Sequence, residues 1–435
     1  MWPLKMCEIT TSTVLRMANN FIRKWLGLPR SLSNIGLFGK NTLQLPLKSI
    51  NLGYRQEKAR LVLELRDSTD PFVRNTKAPV RTGRKWKAEE AVDQAISRLM
   101  HREIVGRTQS GRAGLGWGTA PKFWSKATRK ERKDLVIVEV VRSEEEQYMV
   151  RALSQRQQGR WTTWEGVVDR TIKWSDMWKM PQARLSFLIR ATYDTLPSPS
   201  NLSRWYSSEE NCQLCNAPNP SLQHVLSSCK TALAQGRYRW QHDQVLRKLA
   251  EVLEARRLEA AKDHSSTARK LIHFVGQGAG AQNITQRERR SLLTPGGDWN
   301  LRVDLDRQLK FPPEITTTSL RPDIILWSPS VKAVILAELT VPWEGGMEAA
   351  FERKKEKYTG LAAECREAGW STVICPVEVG CRGFIGTSIQ RLLRDVGVTG
   401  SKLKAVSKNL AEEAERASFW LWLRRKDMSW GKQGS

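Results

Sequence analysis

The chain has 435 residues, enough for two or three domains, and 40% of them are hydrophobic, so part of it can bury a core. Lysine and arginine number 71 against 45 aspartates and glutamates, and the net charge of +26 favours a polyanionic partner, most simply nucleic acid, over a membrane surface. No apolar run approaches the ~20 residues that span a bilayer, and the N-terminus lacks the pattern of a signal peptide. We therefore expect an intracellular, reduced protein whose seven cysteines are free thiols or metal ligands.

The first 200 residues are predicted to form a basic, mainly helical region. Apolar residues recur at helical spacing over residues 11–27, 54–66 and 88–100. Residues 105–122 are rich in glycine, which predicts a loop.

Two basic runs lie in this region. Residues 126–133 form one run, and the other consists of Arg81, Arg84, Lys85 and Lys87. Either run is a candidate for phosphate contacts, although a solvated charged face is the commoner role of a single run. We take the run around residue 84 as a candidate nucleic-acid-binding site.

Residues 201–235 contain a compact metal-binding pattern. Its spacing is Cys-x2-Cys-x8-His-x4-Cys, formed by Cys212, Cys215, His224 and Cys229. Three thiolates and one imidazole suit the tetrahedral coordination of Zn²⁺, whereas the alternative is four unrelated residues. Because four donors close such a site, the sequence predicts a zinc knuckle in which the metal is structural.

The pattern changes again after the knuckle. Residues 236–275 have helical character, and the following stretch to residue 298 is rich in glycine and glutamine, which predicts a linker. From residue 299 to residue 435, strand and helix patterns alternate. The sequence therefore predicts a multidomain protein that ends in an α/β domain.

The segment RPDIILWSPSVKAVILAELT places two acids in apolar surroundings. Residues 322–327 and 333–341 are predicted strands joined by a tight hairpin, which would bring Asp323 and Glu338 together at one end of a sheet. Neighbouring buried carboxylates repel each other, and a divalent cation such as Mg²⁺ removes that cost. Asp304 or Asp306 could add a further acid, with an exposed surface role as the alternative.

A predicted helix follows the second strand, from the glycine pair at 345–346 to a stop before residue 369. Lys354 falls on its apolar stripe with Tyr358 and Leu361, whereas Lys355 does not. A lysine on a buried face either snorkels to water or points at the metal and phosphate, and the nearby acids favour the second interpretation.

These residues resemble the PD-(D/E)xK nuclease motif, with one departure, because Thr340 stands where the usual lysine would follow the acid. The set RPD-x14-E with a helical KxxxY, formed by Lys354 and Tyr358, more closely resembles the restriction-like endonuclease of non-LTR retrotransposons, in which the lysine is displaced onto the helix. The knuckle lies upstream of the nuclease in that family too. The stretches NFIRKWLGLPRSLSNIGLF, RTGRKWKAEEAV and TLPSPSNLSRWY also look like the family's region between polymerase and knuckle.

The resemblance implies a restriction-endonuclease-like domain and a Mg²⁺-dependent enzyme that nicks double-stranded DNA in the nucleus, freeing a 3′-OH that primes reverse transcription. Asp323 and Glu338 would bind Mg²⁺, Lys354 would position or activate water or stabilise phosphate charge, and Tyr358 would orient that lysine or simply pack. Element RNA is a possible second partner.

The sequence does not predict polymerase activity for this chain. The chain contains no Asp-Asp pair of the kind that a polymerase palm needs, so we expect it to correspond to the C-terminal part of such a protein and not to polymerise. Two alternatives to an active nuclease stay open. In one, the nuclease fold is inactive, and the knuckle and the basic helices hold DNA or RNA. A third interpretation is an interaction scaffold stabilised by zinc.

Overall fold

The computed structural model describes residues 8–38, 42–76, 78–83, 86–105, 107–111, 114–118, 124–155, 164–262, 291–305 and 307–430. The chain divides into two compact units, Met1–Thr162 with Thr171–Ser186 and Thr163–Arg170 with Phe187–Ser435. The described residues form a mixed α/β structure in which helices predominate. The predicted division at residues 200, 235 and 298 stays a prediction.

The first unit is mainly helical. Three of its helices, Ile50–Arg66, Ala88–Val105 and Arg129–Leu153, surround a core that includes Val62, Val92, Leu99 and Val140. Its elements are α1 (Glu8–Leu26), α2 (Ile35–Phe38), β1 (Leu43–Gln44), α3 (Ile50–Arg66), α4 (Pro71–Thr76), α5 (Ala88–Val105), β2 (Arg107–Gly111), β3 (Gly114–Gly118), α6 (Arg129–Leu153) and α7 (Trp174–Lys179).

The structure confirms the three predicted helices of this unit but corrects the predicted loop. Strands β2 and β3 pair antiparallel, with Arg107 opposite Gly118 and Gly111 opposite Gly114. Glycine lowers strand propensity without removing the backbone donors and acceptors that pair strands, which is why composition alone misled the prediction.

The basic run near residue 84 is only partly within the described residues. Arg81 and Lys87 are exposed, and Lys87 Nζ lies 2.8 Å from Glu90 Oε1. Arg84 and Lys85 lie outside the described residues. The phosphate-binding role of this run stays a prediction.

The second unit combines a four-stranded sheet with several helices. Its strands are β4 (Val167–Val168), β6 (Asn300–Val303), β7 (Ile324–Ser328), β8 (Ala333–Thr340), β9 (Ser371–Glu378) and β10 (Ile385–Gly386). Its helices are α9 (Pro199–Tyr206), α10 (Lys230–Ala234), α11 (Arg237–Lys262), α12 (Met347–Glu367), α13 (Thr387–Asp395) and α14 (Gly400–Leu423), with a π-helical turn (His224–Ser228) and a 3₁₀ turn (Glu344–Gly346). Two elements, β5 (Arg170–Thr171) and α8 (Gln182–Thr192), include residues of both units.

The sheet has the order β6-β7-β8-β9. Strands β6, β7 and β8 are antiparallel neighbours, whereas β9 runs parallel to β8, and α12 makes the crossover that a parallel pair requires. All residues of β7 and most of β8 are buried, because helices cover both faces.

The alternation of side chains explains where the two acids lie. Ile325 and Leu336 belong to the core that includes Tyr358 of α12, whereas Ile324 and Ala337 belong to the core on the other face. Ile324 pairs with Ala337, so Asp323 and Glu338 come next in register and share the face that α12 covers. The predicted hairpin and the predicted helix are both confirmed. Within the part of the chain that is described, no helix is both long enough and apolar enough to cross a bilayer.

Candidate functional site

Asp323 and Glu338 meet at the end of the β7–β8 hairpin, where each side chain is held by the backbone of the other strand. Asp323 N donates to Glu338 Oε2 over 3.1 Å, and Leu339 N donates to Asp323 Oδ2 over 2.9 Å. The two residues are 5% and 4% exposed. Two carboxylates thus stay side by side because peptide N–H groups fix one oxygen of each.

The second oxygen of each carboxylate faces basic side chains. Glu338 Oε1 accepts from Lys354 Nζ at 2.5 Å and lies 3.7 Å from Lys357 Nζ. Asp323 Oδ1 lies 4.0 Å from the Arg239 guanidinium. The negative charge of the pair is therefore matched by cations from two different helices, α12 and α11.

The helical-face argument that singled out Lys354 agrees with the geometry. Lys354 is half-buried and reaches Glu338, whereas Lys355 is exposed and its Nζ lies 3.7 Å from Glu352. The contact with a buried carboxylate distinguishes Lys354 from a lysine that merely snorkels to water.

Tyr358 packs in the core, which is one of its two predicted roles, and the lysine that it contacts is Lys357. Its hydroxyl donates to the Arg321 carbonyl over 3.0 Å and accepts from Lys357 Nζ over 2.9 Å. Burial raises the pKa of the phenol far above its usual range, and the Glu338 carboxylate raises it further. Tyr358 thus packs in the core and orients Lys357, a residue that the sequence did not single out.

Asp304 is the further acid that the structure brings to this site. It is 4% exposed, its backbone N–H donates to the Asp323 carbonyl over 2.8 Å, and its Oδ1 accepts from Leu309 N over 2.9 Å. An exposed surface role therefore does not apply to Asp304. Asp306 lies outside the described residues.

Sequence reasoning missed the contribution of α11. His242 Nε2 lies 3.2 Å from both Asp323 Oδ2 and the Leu339 carbonyl oxygen, and His242 Nδ1 lies 3.0 Å from Asp243 Oδ1. Burial lowers the pKa of His242, but the hydrogen bonds to Asp243 and Asp323 outweigh it and raise the pKa to about 9. A signal was present, because His242 occupies the helical position one turn before the buried Leu246.

These groups open onto one cleft of about 880 Å³. Asp304, Asp323 and Glu338 lie on its wall, and the basic residues around them are Arg239, His242, Arg307, Arg321, Arg353, Lys354 and Lys357. Such a cleft can hold a cation on the acids and a polyanion on the surrounding bases.

The four residues of the predicted knuckle also meet. The donor atoms of Cys212, Cys215, His224 and Cys229 all lie within 4.8 Å of one another, so the group could hold a metal ion. Burial lowers the pKa of His224, which favours the neutral imidazole that a metal needs, and burial raises the pKa of Cys229 to about 11. A bound dication would be what deprotonates such a thiol.

The Cys/His cluster packs against α11, the helix that carries His242 of the acid site. The Tyr238 hydroxyl, at the start of α11, donates to the carbonyls of His224 and Val225 and accepts from Cys229 N over 2.9 Å. Leu222 and Leu226 share a core with residues of α14. The cluster thus lies next to the helix that carries His242, and its turn contributes Gln223, Ser227 and Ser228 to the cleft wall.

Comparison of the chain with models of known protein families and with curated proteins finds no match. The assignment of a function therefore rests on the geometry of the cleft and the chemistry of its residues.

Proposed function

We propose that the chain is a Mg²⁺-dependent DNA endonuclease of the restriction-like kind found in non-LTR retrotransposons. One observation carries the proposal: Lys354 Nζ lies 2.5 Å from Glu338, which is itself tied to Asp323, in a cleft rimmed by arginine and lysine. An acid pair with a lysine at a basic cleft is an arrangement that supports phosphodiester hydrolysis, because the acids can hold a metal ion and the lysine can stabilise the developing anion.

The ion proposed for the acid pair is Mg²⁺. This ion takes oxygen ligands and is commonly held by one or two carboxylates, with water and phosphate oxygens completing an octahedron. Asp323 Oδ1 faces Arg239, and Glu338 Oε1 faces Lys354. The other oxygen of each carboxylate accepts from a backbone N–H group. A dication held by Asp323 and Glu338 would take over the neutralisation that Arg239 and Lys354 now provide.

The proposal gives each residue of the cleft a separate role. Asp323 and Glu338 would hold the ion, which when bound lowers the pKa of a coordinated water and polarises the scissile phosphate. Lys354 would orient the attacking water or stabilise the charge that develops on the phosphate. Lys357 and Arg353, on the same wall, would hold the neighbouring phosphates.

We further propose that the Cys/His cluster binds structural Zn²⁺. Tetrahedral ligands at about 2.0–2.3 Å from the metal lie roughly 3.3–3.8 Å apart. The observed separations are 3.9 Å between Cys212 Sγ and Cys229 Sγ and 3.3 Å between Cys215 Sγ and His224 Nε2. Four protein donors leave no position for substrate, which favours a structural role.

In this proposal the substrate is double-stranded target DNA, element RNA is a possible second partner, and the protein acts in the nucleus. The nick would free a 3′-OH for priming by a polymerase. Such a role follows from the resemblance of the RPD-x14-E and KxxxY residues and from the basic charge of the chain.

Nicking of supercoiled plasmid tests the proposal. The wild-type chain should convert supercoiled DNA to open-circular DNA in the presence of Mg²⁺. Addition of EDTA should stop this reaction, and the Asp323→Asn variant should lack the activity. DNA binding measured by fluorescence anisotropy should persist in that variant, because the bases that hold phosphates remain. Binding without any metal-dependent nicking by the wild-type chain would instead favour the inactive nucleic-acid-binding module.

A further inference from the structure

His242 has a position that the proposed nuclease chemistry does not yet use. Its side chain is 14% exposed and lies between two acids, Asp243 on its own helix and Asp323 at the end of the sheet. Both ring nitrogens face acceptors, Asp243 Oδ1 on one side and Asp323 Oδ2 with the Leu339 carbonyl on the other. The ring is therefore held in one orientation by groups from two elements.

This contact decides which oxygen of Asp323 is available. Oδ2 receives the hydrogen bonds of both Leu339 N and His242 Nε2. With Oδ2 occupied, the carboxylate cannot rotate freely, and Oδ1 is left on the side of the Arg239 guanidinium, 4.0 Å away. Partners of this kind orient ligating groups, and their removal typically costs about 10- to 100-fold in metal affinity.

We propose that His242 is a positioning residue of the cation site, which fixes Asp323 so that Oδ1 is presented to the metal. The inference rests on the proposed function, since it presumes that Asp323 binds a divalent cation. Asp243 holds the other side of the ring and completes an acid–imidazole–acid chain from α11 to the sheet. A purely structural histidine would satisfy the same hydrogen bonds without any effect on metal affinity.

Direct measurement of Mn²⁺ binding separates these roles. The free Mn²⁺ signal in electron paramagnetic resonance is titrated with the full, zinc-loaded chain and its variants. His242→Leu should weaken Asp323-dependent binding by about 10- to 100-fold. His242→Gln, which keeps a donor toward Asp323, should recover most of the affinity. Leu253→Ala removes a fully buried side chain about three turns along the same helix, and it should lower the melting temperature while leaving Mn²⁺ affinity unchanged.

The outcomes distinguish the two levels of the proposal. If His242→Leu binds Mn²⁺ as tightly as the wild-type chain, or if affinity falls in parallel with melting temperature in all three variants, His242 is structural and the inference is overturned. If the wild-type chain shows no Mn²⁺ binding that Asp323→Asn removes, the metal site and with it the proposed nuclease are overturned as well.

Discussion

The Cys/His cluster and the acid cluster lie in the same compact unit but differ in what can neutralise their negative charge, an enclosed metal ion in the first and basic side chains in the second. The four donors of the Cys/His cluster approach within 4.8 Å of one another and enclose a position for one ion. The acids Asp323 and Glu338 have cations at their free oxygens, Arg239 from α11 and Lys354 from α12, and they open onto a cleft of about 880 Å³.

Under the proposed function, the difference corresponds to two kinds of metal use. A set of three thiols and one imidazole that encloses its ion depends on that ion for stability, as structural zinc sites do. Acids that already have basic partners can stay folded without an ion and can exchange it, which an enzyme that must admit phosphate and water requires. Removal of the metal should therefore unfold one region and merely inactivate the other.

The largest expected effect is on the Cys/His cluster. Cys215→Ser removes one of four ligands, so zinc content measured by atomic emission should fall well below one ion per chain, and the melting temperature should drop. Zinc binding in small sites contributes about 10 kcal/mol or more to folding. Because Leu226 next to the cluster and Leu421 of α14 share a core, the loss of this free energy should also destabilise α14. Cys375→Ser, a cysteine outside the cluster, is the matched control and should retain zinc. Full zinc content in Cys215→Ser would contradict the assignment.

The next effect concerns catalysis at the acid cluster. Lys354→Ala should reduce the nicking rate by about 100-fold or more, which is the usual cost of lost electrostatic stabilisation, with little change in DNA affinity. Lys355→Ala removes an identical charge from the exposed neighbour and should keep the rate. Equal rates in the two variants would show that Lys354 has no catalytic role. Equal losses would indicate that the helix binds phosphate in general.

Glu378 is a buried carboxylate whose Oε1 has no hydrogen-bond partner among the described residues. Burial and, to a smaller extent, the Glu348 carboxylate outweigh the hydrogen bond from the Ser388 hydroxyl, which lowers the pKa of Glu378, and together these groups raise that pKa from 4.5 to about 7. The folded state therefore favours the protonated form, and its contribution to stability is present below pH 4.5 and is lost as the pH rises through 7.

Glu378→Gln removes that dependence. Between pH 4.5 and pH 8, the free energy of unfolding of the wild-type chain should fall relative to the variant by about 3 kcal/mol. Urea unfolding at both pH values measures the difference. An equal change in both proteins would mean that Glu378 is ionised in the folded state at neutral pH.

The smallest effects should come from single phosphate contacts. Arg353→Ala, in the cleft wall, should reduce the slope of log K against log[salt] by about 0.9 for duplex DNA, because one phosphate contact is lost. Arg81→Ala changes an exposed residue of the basic run near residue 84, and it should do the same only if that run contacts DNA. An unchanged slope in Arg353→Ala would remove the cleft wall from the DNA interface.

Local pattern was enough to predict the hairpin, the α12 helix and the side of α12 on which Lys354 lies, because periods of two and 3.6 residues are properties of short segments. It was not enough for His242, whose partner Asp323 lies 81 residues away, since such contacts depend on how α11 packs on the sheet. For Tyr358 it offered packing or a contact with Lys354. The structure shows the packing, and the lysine that Tyr358 contacts is Lys357, because rotamers within one helical turn decide that contact.

The comparison of Glu338→Gln with Glu364→Gln in Mg²⁺-dependent plasmid nicking tests the central claim most directly. Both changes remove one carboxylate charge from the same unit, but Glu338 is buried at the cleft and Glu364 is exposed on α12. If Glu338 holds the catalytic ion, Glu338→Gln should abolish nicking, and Glu364→Gln should match the wild-type rate. Nicking by Glu338→Gln at the wild-type rate would contradict the assignment of this cleft as a metal-dependent nuclease site.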